Sequence, residues 1–477
     1  MLSGILLPAP LLAATLADEA PRSGDHRHLS WTQELSVHEA LAREPRSPDT
    51  DATQPLSEAF LAAAAETGAS DGPSSDSPSV WPFDDLAEAA VRHYPAITAS
   101  LRQQDAARSD REAAGWQRFP TPAVQASSDD DITQAVLSLE QPLWTGGRIT
   151  AGIEAAESRL GASREQVGGV RQDILQRVID AYAEASRRTA QLEIAARNVD
   201  ELSDLQQMIE RRVRQMASPQ ADLELASSRL AQAVAERVAI AQALRSSLAQ
   251  LSELSGQEVS AVAPSSAAED PSLAATLSEA QREALSHSPQ LAQLGFQQQA
   301  AKADTRGERA ARFPSLALRL EQRENRGGGI AAPERSDTRV LMVMESNFGA
   351  GLSTLASIDA ASSRQQSLEQ EREAALRELR SEVADLWHQR EAASLRLDSA
   401  EQTRLSAERV SASYNRQYAI GQKSWLDLMN AVREASSAGL AVEDARADVF
   451  RASWRLATLI GSAQVAALSP DARDPRP

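Results

Sequence analysis

Cysteine is absent from the 477 residues, which excludes disulfides, thiolate metal centres, a cysteine nucleophile and a lipid-modified cysteine. Aromatic residues make up only 4% of the chain. Ala, Leu, Gln, Glu and Arg are abundant instead, the composition of long helices packed through small side chains and not of a compact globule. Beyond the N-terminus there is no run of about 18 apolar residues, so a chain of this kind that enters a membrane must do so with strands. Lysine is confined to Lys302 and Lys423, and the net charge is -18. That balance, with no basic stripe interleaved with aromatics, removes the attraction to phosphate backbones, and nucleic acid is not an expected partner.

What remains is enough to fold: 42% of residues are hydrophobic and 24% charged, which rules out wholesale disorder. Met1 to Ala17 has the apolar core and small-residue end of a secretory signal, although no Lys or Arg precedes the apolar part. Residues 18–82, rich in Pro, Ser, Asp and Glu, read as an extended or disordered lead-in. Order begins near Trp81 with a helical stretch that breaks or kinks at Pro95 and ends before Pro120.

The most informative feature is an internal repeat. His93, Pro95 and Arg118-Phe119-Pro120 recur as His287, Pro289 and Arg312-Phe313-Pro314. Trp144 corresponds to Phe348, Asp222-Leu223 to Asp427-Leu428, and Leu251, Leu254 and Gly256 to Leu456, Leu459 and Gly461. The chain is one unit written twice, over residues 83–270 and 271–464, with a tail at 465–477. Nearly all the added length of the second copy falls in the Gly-rich, charged run Glu324 to Asp337, as insertions at loop tips do. Around that run Leu316, Leu318 and Leu320 alternate with Ala317, Arg319 and Glu321, and Val340, Met342 and Met344 share one face, which predicts a hairpin. In the first copy Ala123–Ser127 and Ile132–Gln141 flank Ser128 to Asp131, so each repeat supplies two strands.

After each hairpin comes a proline-free helical stretch, Arg148 to about Ala217 and Leu352 to about Tyr418, on the order of 100 Å long at 1.5 Å per residue. Each breaks at a short turn, Ser218-Pro219 or Ile420-Gly421, and a shorter helix returns to Gly256 or Gly461. Four strands cannot enclose a pore, and an open sheet cannot face lipid with unsatisfied edge amides. A trimer would supply twelve strands and ring the long helices into a tube. The expected fold is therefore mainly α with a small β part: a trimeric barrel continuous with an α-helical tunnel. The alternative is a coiled-coil structural protein with no lipid-facing barrel.

The duplicated order, the run Pro142 to Gly147 (Pro-Leu-Trp-Thr-Gly-Gly) and the run Tyr418 to Leu428 (Tyr-Ala-Ile-Gly-Gln-Lys-Ser-Trp-Leu-Asp-Leu) resemble the TolC family of outer-membrane efflux and secretion proteins. The resemblance spans about Asp84 to Gly461. It implies a homotrimer in the outer membrane extending into the periplasm, with a tunnel closed at its inner tip until a periplasmic adaptor and an inner-membrane transporter engage it. By motif position it places Asp427 in an acidic gate, with Tyr418 and Lys423 at latch positions, Asn430 where the family has a second acidic residue, and Asp222 as the first-repeat counterpart of Asp427. Ser218, Pro219, Gly421 and Trp425 then belong to the docking tip, and Trp144 and Phe348 to the junction of barrel and tunnel. Each has a plainer reading. Asp427 and Asp222 also suit helix starts, Asp427 as the third residue of a capping box from Ser424. Trp425 also suits a packing staple, and Trp144 and Phe348 either an aromatic belt or packing.

Catalysis is not expected. Gly349-Ala350-Gly351 lacks a βαβ context, and among the six histidines none are spaced as a helical zinc pair. Glu34-His38 and Glu283-His287 read as solvated side-chain pairs, and no metal or cofactor is expected. Two cargoes compete: a large protein, through an inner-membrane ABC transporter in a type I secretion system, and drugs, through a proton-driven pump. Many efflux-dedicated members carry a lipid on a cysteine, which this sequence lacks. The run Ser346 to Ser353, without the usual proline, resembles the branch that exports large adhesins. Both features favour secretion.

Overall fold

In a computed structural model of the protein, residues 80–129, 132–265, 271–327, 335–346 and 353–462 are described. The expected signal, the lead-in up to Ser79, Phe348, the Gly349-Ala350-Gly351 run and the C-terminal tail lie outside them. A short strand β1 (Val80–Trp81) leads into α1 (Phe83–His93), α2 (Pro95–Trp116), the hairpin β2 (Thr121–Asp129) and β3 (Ile132–Trp144), the long helix α3 (Arg148–Arg214) and the returning helix α4 (Gln220–Ser255). After β4 (Ala261–Val262) the order repeats as α5 (Leu277–His287), α6 (Pro289–Ala310), β5 (Ser315–Gly327), β6 (Arg335–Glu345), α7 (Ser353–Ala419) and α8 (Trp425–Ile460). The paired helices match in length, 11, 22, 67 and 36 residues in both copies.

Turn chemistry sets these boundaries. Tyr94 and Ser288 precede prolines and are extended, which separates α1 from α2 and α5 from α6. The returning helices stop at Gly256 and Gly461, both left-handed with φ of 66°. At Gly461 a Cβ would also lie 2.9 Å from the His287 ring, so space as well as φ requires glycine there. His287 directs Nδ1 to the Glu283 backbone carbonyl at 2.9 Å. The expected side-chain pair with Glu283 does not form, because the helix-end carbonyl is the nearer partner.

The four long strands form one antiparallel sheet in the order β2-β3-β5-β6, so the two hairpins join through β3 and β5. β2 and β3 run longer than the sequence pattern indicated, pairing from Thr121↔Glu140 to Asp129↔Ile132. Pro122 is tolerated on the edge strand, and Pro142 coincides with a register shift against β5. At the end of β3, Gly146 and Gly147 take φ of 63° and 92° and turn the strand into α3. A Cβ on Gly146 would press on Phe313 Cβ at 3.0 Å and the Ala310 carbonyl at 3.1 Å. The Thr-Gly-Gly end of the Pro142 to Gly147 run is thus a strand-to-helix turn.

Below the sheet the helices form a bundle about 100 Å long, the length of α3 at 1.5 Å per residue. α3 packs against α4 and α8, and against α2 and α6. Where α1 meets α3 and α8, Phe83, Tyr182, Phe450 and Trp454 stack edge to face or tilted at 4.5 to 6.1 Å. The Tyr182 hydroxyl donates to the Ala263 carbonyl at 2.9 Å, and burial, then the charge of Asp84, pushes the phenol pKa up. Beside this core Asp180 pairs with Arg455 and, at 3.6 Å, with Arg451, while Asp444 accepts from Arg187 at 3.0 Å and Gln191 at 2.9 Å. These ties join the first repeat's long helix to the second repeat's returning helix, so the repeats form one body and not two domains.

Small residues set the helix spacing. At Gly161 of α3 a Cβ would lie 2.6 Å from the Phe296 ring of α6. Gly161→Ala is expected to destabilise the bundle by about 1 to 3 kcal/mol, read as a lower melting temperature of the helical circular dichroism signal. Adding Phe296→Leu should restore part of it. Unchanged melting of the single variant would mean that the ring moves aside freely.

Candidate functional site

Two regions carry functional geometry, the sheet at one end of the bundle and the pair of turns at the other. In the sheet, cross-strand partners share a face. One face collects Val124, Leu137, Leu139, Leu318, Leu320, Val340, Met342 and Met344, all exposed. The opposite face collects Glu140, Arg319, Glu321, Arg323, Asp337 and Arg339. Along β3 and β5 the residues of the polar face are half-buried and those of the apolar face mostly exposed, the pattern of a sheet curling toward its charged side. The outer edges of β2 and β6 have no strand partner among the described residues. No described helix is long and apolar enough to cross a membrane.

Where the sheet meets the helices, Trp144 is exposed and its ring lies 6.3 Å from Phe313. Trp116 and Phe119, 5.1 Å apart, are also exposed at that level in the first repeat. Three of these four rings were not read from the sequence as junction residues, although Phe119 and Phe313 stand in the repeated Arg-Phe-Pro landmark. An exposed aromatic set at one end of an apolar sheet face suits a membrane interface.

At the far end both turns share one design. α3 ends with Met216 in the left-handed region at φ 57°, its amide donating to Val213 at 2.9 Å and that of Ala217 to Arg212 at 2.8 Å. α7 ends with Gly421 at φ 76°, its amide donating to Tyr418 at 3.0 Å and that of Gln422 to Gln417 at 2.9 Å. Met216 and Gly421 are repeat equivalents, so the first turn holds a bulky side chain in a conformation that favours glycine, at a cost of about 1 kcal/mol. Met216 is 96% exposed and makes no compensating contact of that size. With exposed Ile420 and Leu426 it gives the tip an apolar surface that the sequence motifs did not reveal. Aligning Met216 with Gly421 would have revealed it.

Past the second turn, the Asp427 amide donates to Ser424 Oγ at 3.1 Å and Asp427 Oδ2 accepts from the Ser424 amide at 3.3 Å, a complete capping box. The hydrogen bonds from Ser424, with a smaller contribution from the charge of Lys423, hold the Asp427 carboxyl below its ordinary pKa. The Lys423 ammonium itself sits 4.3 Å from the Tyr414 ring centre, and the Arg212 guanidinium 4.8 Å from that of Tyr418. Asn430 is exposed one turn further along α8. Asp222 occupies the equivalent position on α4, where Pro219 offers no side-chain cap and the Asp222 amide donates to the Pro219 carbonyl at 3.2 Å. Ser218, Pro219 and Gly421 lie in the turns as expected. Trp425 does not face outward: it is 4% exposed and packs 5.4 Å from the Tyr418 ring, within a cluster that includes Leu205, Ile209 and Leu428. Its position at the helix start points it at the partner helix, and the neighbouring Leu426 takes the exposed place.

A family model described as outer membrane efflux protein matches residues 83–257 and 280–462. The chain belongs to this family. No curated protein matches it by sequence. Among solved structures it is similar to a membrane protein from Pseudomonas aeruginosa, with a TM-score of 0.71 at 18% identity over 79% of this chain and 90% of that one. It is also similar to the outer membrane protein VceC of Vibrio cholerae, with a TM-score of 0.69 at 18% identity over 80% and 96%. The open state of the MtrE outer membrane channel of Neisseria gonorrhoeae gives a TM-score of 0.68 at 18% identity over 80% and 88%. At these identities the likeness is one of fold. Family membership makes the chain an outer-membrane efflux channel protein that extends into the periplasm and is not an enzyme. Channels of the outer membrane efflux family are trimers that work with periplasmic adaptor and inner-membrane pump partners.

The capping box makes a testable statement. Because the folded pKa of Asp427 is depressed, its contribution is present above the ordinary carboxylate range and is lost as pH falls through the folded value. Protection of the amides in the first turn of α8, taken relative to intrinsic exchange at the same pH, should fall on acidification through the folded value. Ser424→Ala should cost about 1 kcal/mol locally and weaken the acid response, the amide of residue 424 still reaching the carboxylate, whereas Asp427→Asn should abolish it. A response that persists in Asp427→Asn would assign it to another group.

Proposed function

We propose that three copies of this chain close their sheets into one twelve-stranded outer-membrane barrel, ring their helices into a periplasmic tunnel gated near Asp427, and export a large protein as the outer-membrane component of a type I secretion system. The observation that carries the channel is the four-stranded sheet with one apolar and one charged face and two open edges: in lipid such edges must be paired, and closure of identical sheets pairs them. Support for the trimer comes from exposed apolar residues on helix faces that no described element covers, Val234 and Val238 on α4 and Leu395, Leu405 and Val410 on α7. Val234 and Leu405 each stand about four turns from their own tip turn, at the height where α4 of one copy meets α7 of the next.

In this arrangement Asp427 from three copies concentrates negative potential at the narrowest part of the tunnel, while Tyr418 and Lys423 hold the turn closed through their ring contacts. Ser218, Pro219 and Gly421, with Met216, Ile420 and Leu426, form the surface offered to an adaptor. Trp425 serves from inside, fixing the turn. Trp144 marks the junction of barrel and tunnel, the role that the family resemblance also implies for Phe348. The protein cargo draws on the run Ser346 to Ser353, which resembles the adhesin-exporting branch, and its inner-membrane partner is then an ABC transporter. Drug efflux through a proton-driven pump is the second reading, favoured by the description of the family itself.

The cysteine-free sequence permits a direct test of the barrel. Val136→Cys and Val343→Cys on the charged face should react with a membrane-impermeant thiol reagent in reconstituted vesicles, whereas Leu318→Cys and Met342→Cys on the apolar face should be shielded by lipid. Equal labelling of both faces would overturn the barrel. In planar bilayers the native chain should give a small cation-selective conductance that rises, or loses divalent block, in Asp427→Ala. An unchanged conductance would return Asp427 to capping alone. Deletion of the gene separates the cargoes: loss of a surface protein with unchanged drug sensitivity supports secretion, and the reverse pattern supports efflux.

A further inference from the structure

The charged face of the sheet is more ordered than a hydrated wall requires. Arg319 of β5 reaches across to β3 and donates from Nε at 2.9 Å and from Nη2 at 2.6 Å to one oxygen of Glu140. Its third nitrogen lies 3.9 Å from Glu321, whose other oxygen lies 3.6 Å from Arg323. On the next strand Arg339 donates to Asp337 at 2.6 Å. The signs alternate along the ladder Glu140, Arg319, Glu321, Arg323, so the four charges cancel. The whole chain, by contrast, carries a net charge of -18.

Stability does not account for this arrangement. Arg319 and Glu140 remain 33% and 41% exposed, and pairs of that exposure contribute about 0 to 1 kcal/mol, no more than an apolar or Thr-Thr cross-strand pair would give. What the ladder does change is the field. With Arg319 replaced by a neutral residue, Glu140 would stand unpaired while Glu321 kept Arg323 at 3.6 Å, so the ladder would carry one net negative charge per subunit, three in a closed trimer. Carboxylate rings of that kind hold cations in a low-dielectric enclosure.

We infer that Arg319 is a specificity-determining residue of the membrane passage: by neutralising Glu140 it keeps this level of the wall balanced, so that an extended polypeptide carrying both charge signs slides through without its basic segments being held. This rests on the barrel reading above, and it narrows the cargo to mixed-charge polypeptide. A passage built to concentrate small organic cations would leave the carboxylates bare. Balance at the barrel also divides the work, leaving charge selection to the acidic step at Asp427.

The test is block of single-channel current by an oligo-arginine peptide added on the barrel side, which samples the barrel before the tip. At low salt Arg319→Gln should raise the blocking on-rate by about tenfold and lengthen each block, Glu140→Gln should lower both, and the double variant should return close to native. The differences should collapse when the salt is raised to about 1 M. Arg319→Lys, which keeps the charge and loses the fork, should behave as native. Each variant is first shown to run as a heat-modifiable trimer, so that a folding defect is not mistaken for altered block. Equal on-rates in native, Arg319→Gln and Glu140→Gln channels of normal conductance would overturn the inference and leave the barrel intact. Absence of any conductance from a folded native trimer would overturn both.

Discussion

The outer edges of β2 and β6 impose the constraint on which the architecture turns. Each edge presents a row of backbone N–H and C=O groups, and in hydrocarbon every unmet group costs several kcal/mol. A single subunit therefore has no way to rest in a bilayer, however apolar one face of its sheet. In the proposed assembly, pairing β6 of one copy with β2 of the next satisfies these groups and fixes the neighbours of every helix beneath them, because each long helix begins directly below its hairpin. The turn at Gly146 and Gly147 gains its importance here. A strand that must tilt in a barrel wall is converted within three residues into a helix that must run down a tunnel, and the left-handed backbone of Gly146 and Gly147 makes the change in so short a space.

The duplication gives each subunit two units of hairpin, long helix and returning helix, but the copies do different work. α3 and α7 have the same length, yet α3 buries residues along most of its course, against α2, α4, α6 and α8, while α7 leaves Leu395, Leu405 and Val410 exposed. The first repeat is the spine of the subunit and the second offers a face for assembly. The tip turns diverge in the same way. The second has Gly421 and a full capping box, so it is relaxed. The first has Met216 and an uncapped Pro219, so it stores strain where an apolar side chain projects.

Much of this was legible in the sequence because its signals are local. Gly256 and Gly461 end helices, Pro95 and Pro289 start them, and the alternation through Leu316, Leu318 and Leu320 marks a strand, each through a constraint on its own backbone or face. The offset of the repeats then placed equivalent elements without any knowledge of contacts. What failed to show was the direction of single side chains set by tertiary packing. Trp425 and Leu426 are adjacent apolar residues at a helix start, and nothing in their order says that the larger one turns inward against Tyr418. The pairing of Glu140 with Arg319 joins different repeats and depends on a register that only the assembled sheet defines.

In the proposed channel the two readings of Asp427, capping and gating, are compatible. Capping engages Oδ2 with the amide of Ser424, inside the subunit's own chain, and the helix start favours the ionised carboxylate there. Lys423, the nearest cation in sequence, is drawn onto the ring of Tyr414, so it does not close a contact ion pair with the carboxylate. The cap thus fixes both the position and the ionisation of the charge, and with Lys423 held on the Tyr414 ring that charge is not tied up in a contact ion pair. A gate needs a carboxylate that is fixed, ionised and unpaired, so in the proposed channel the capping box is the means by which Asp427 gates.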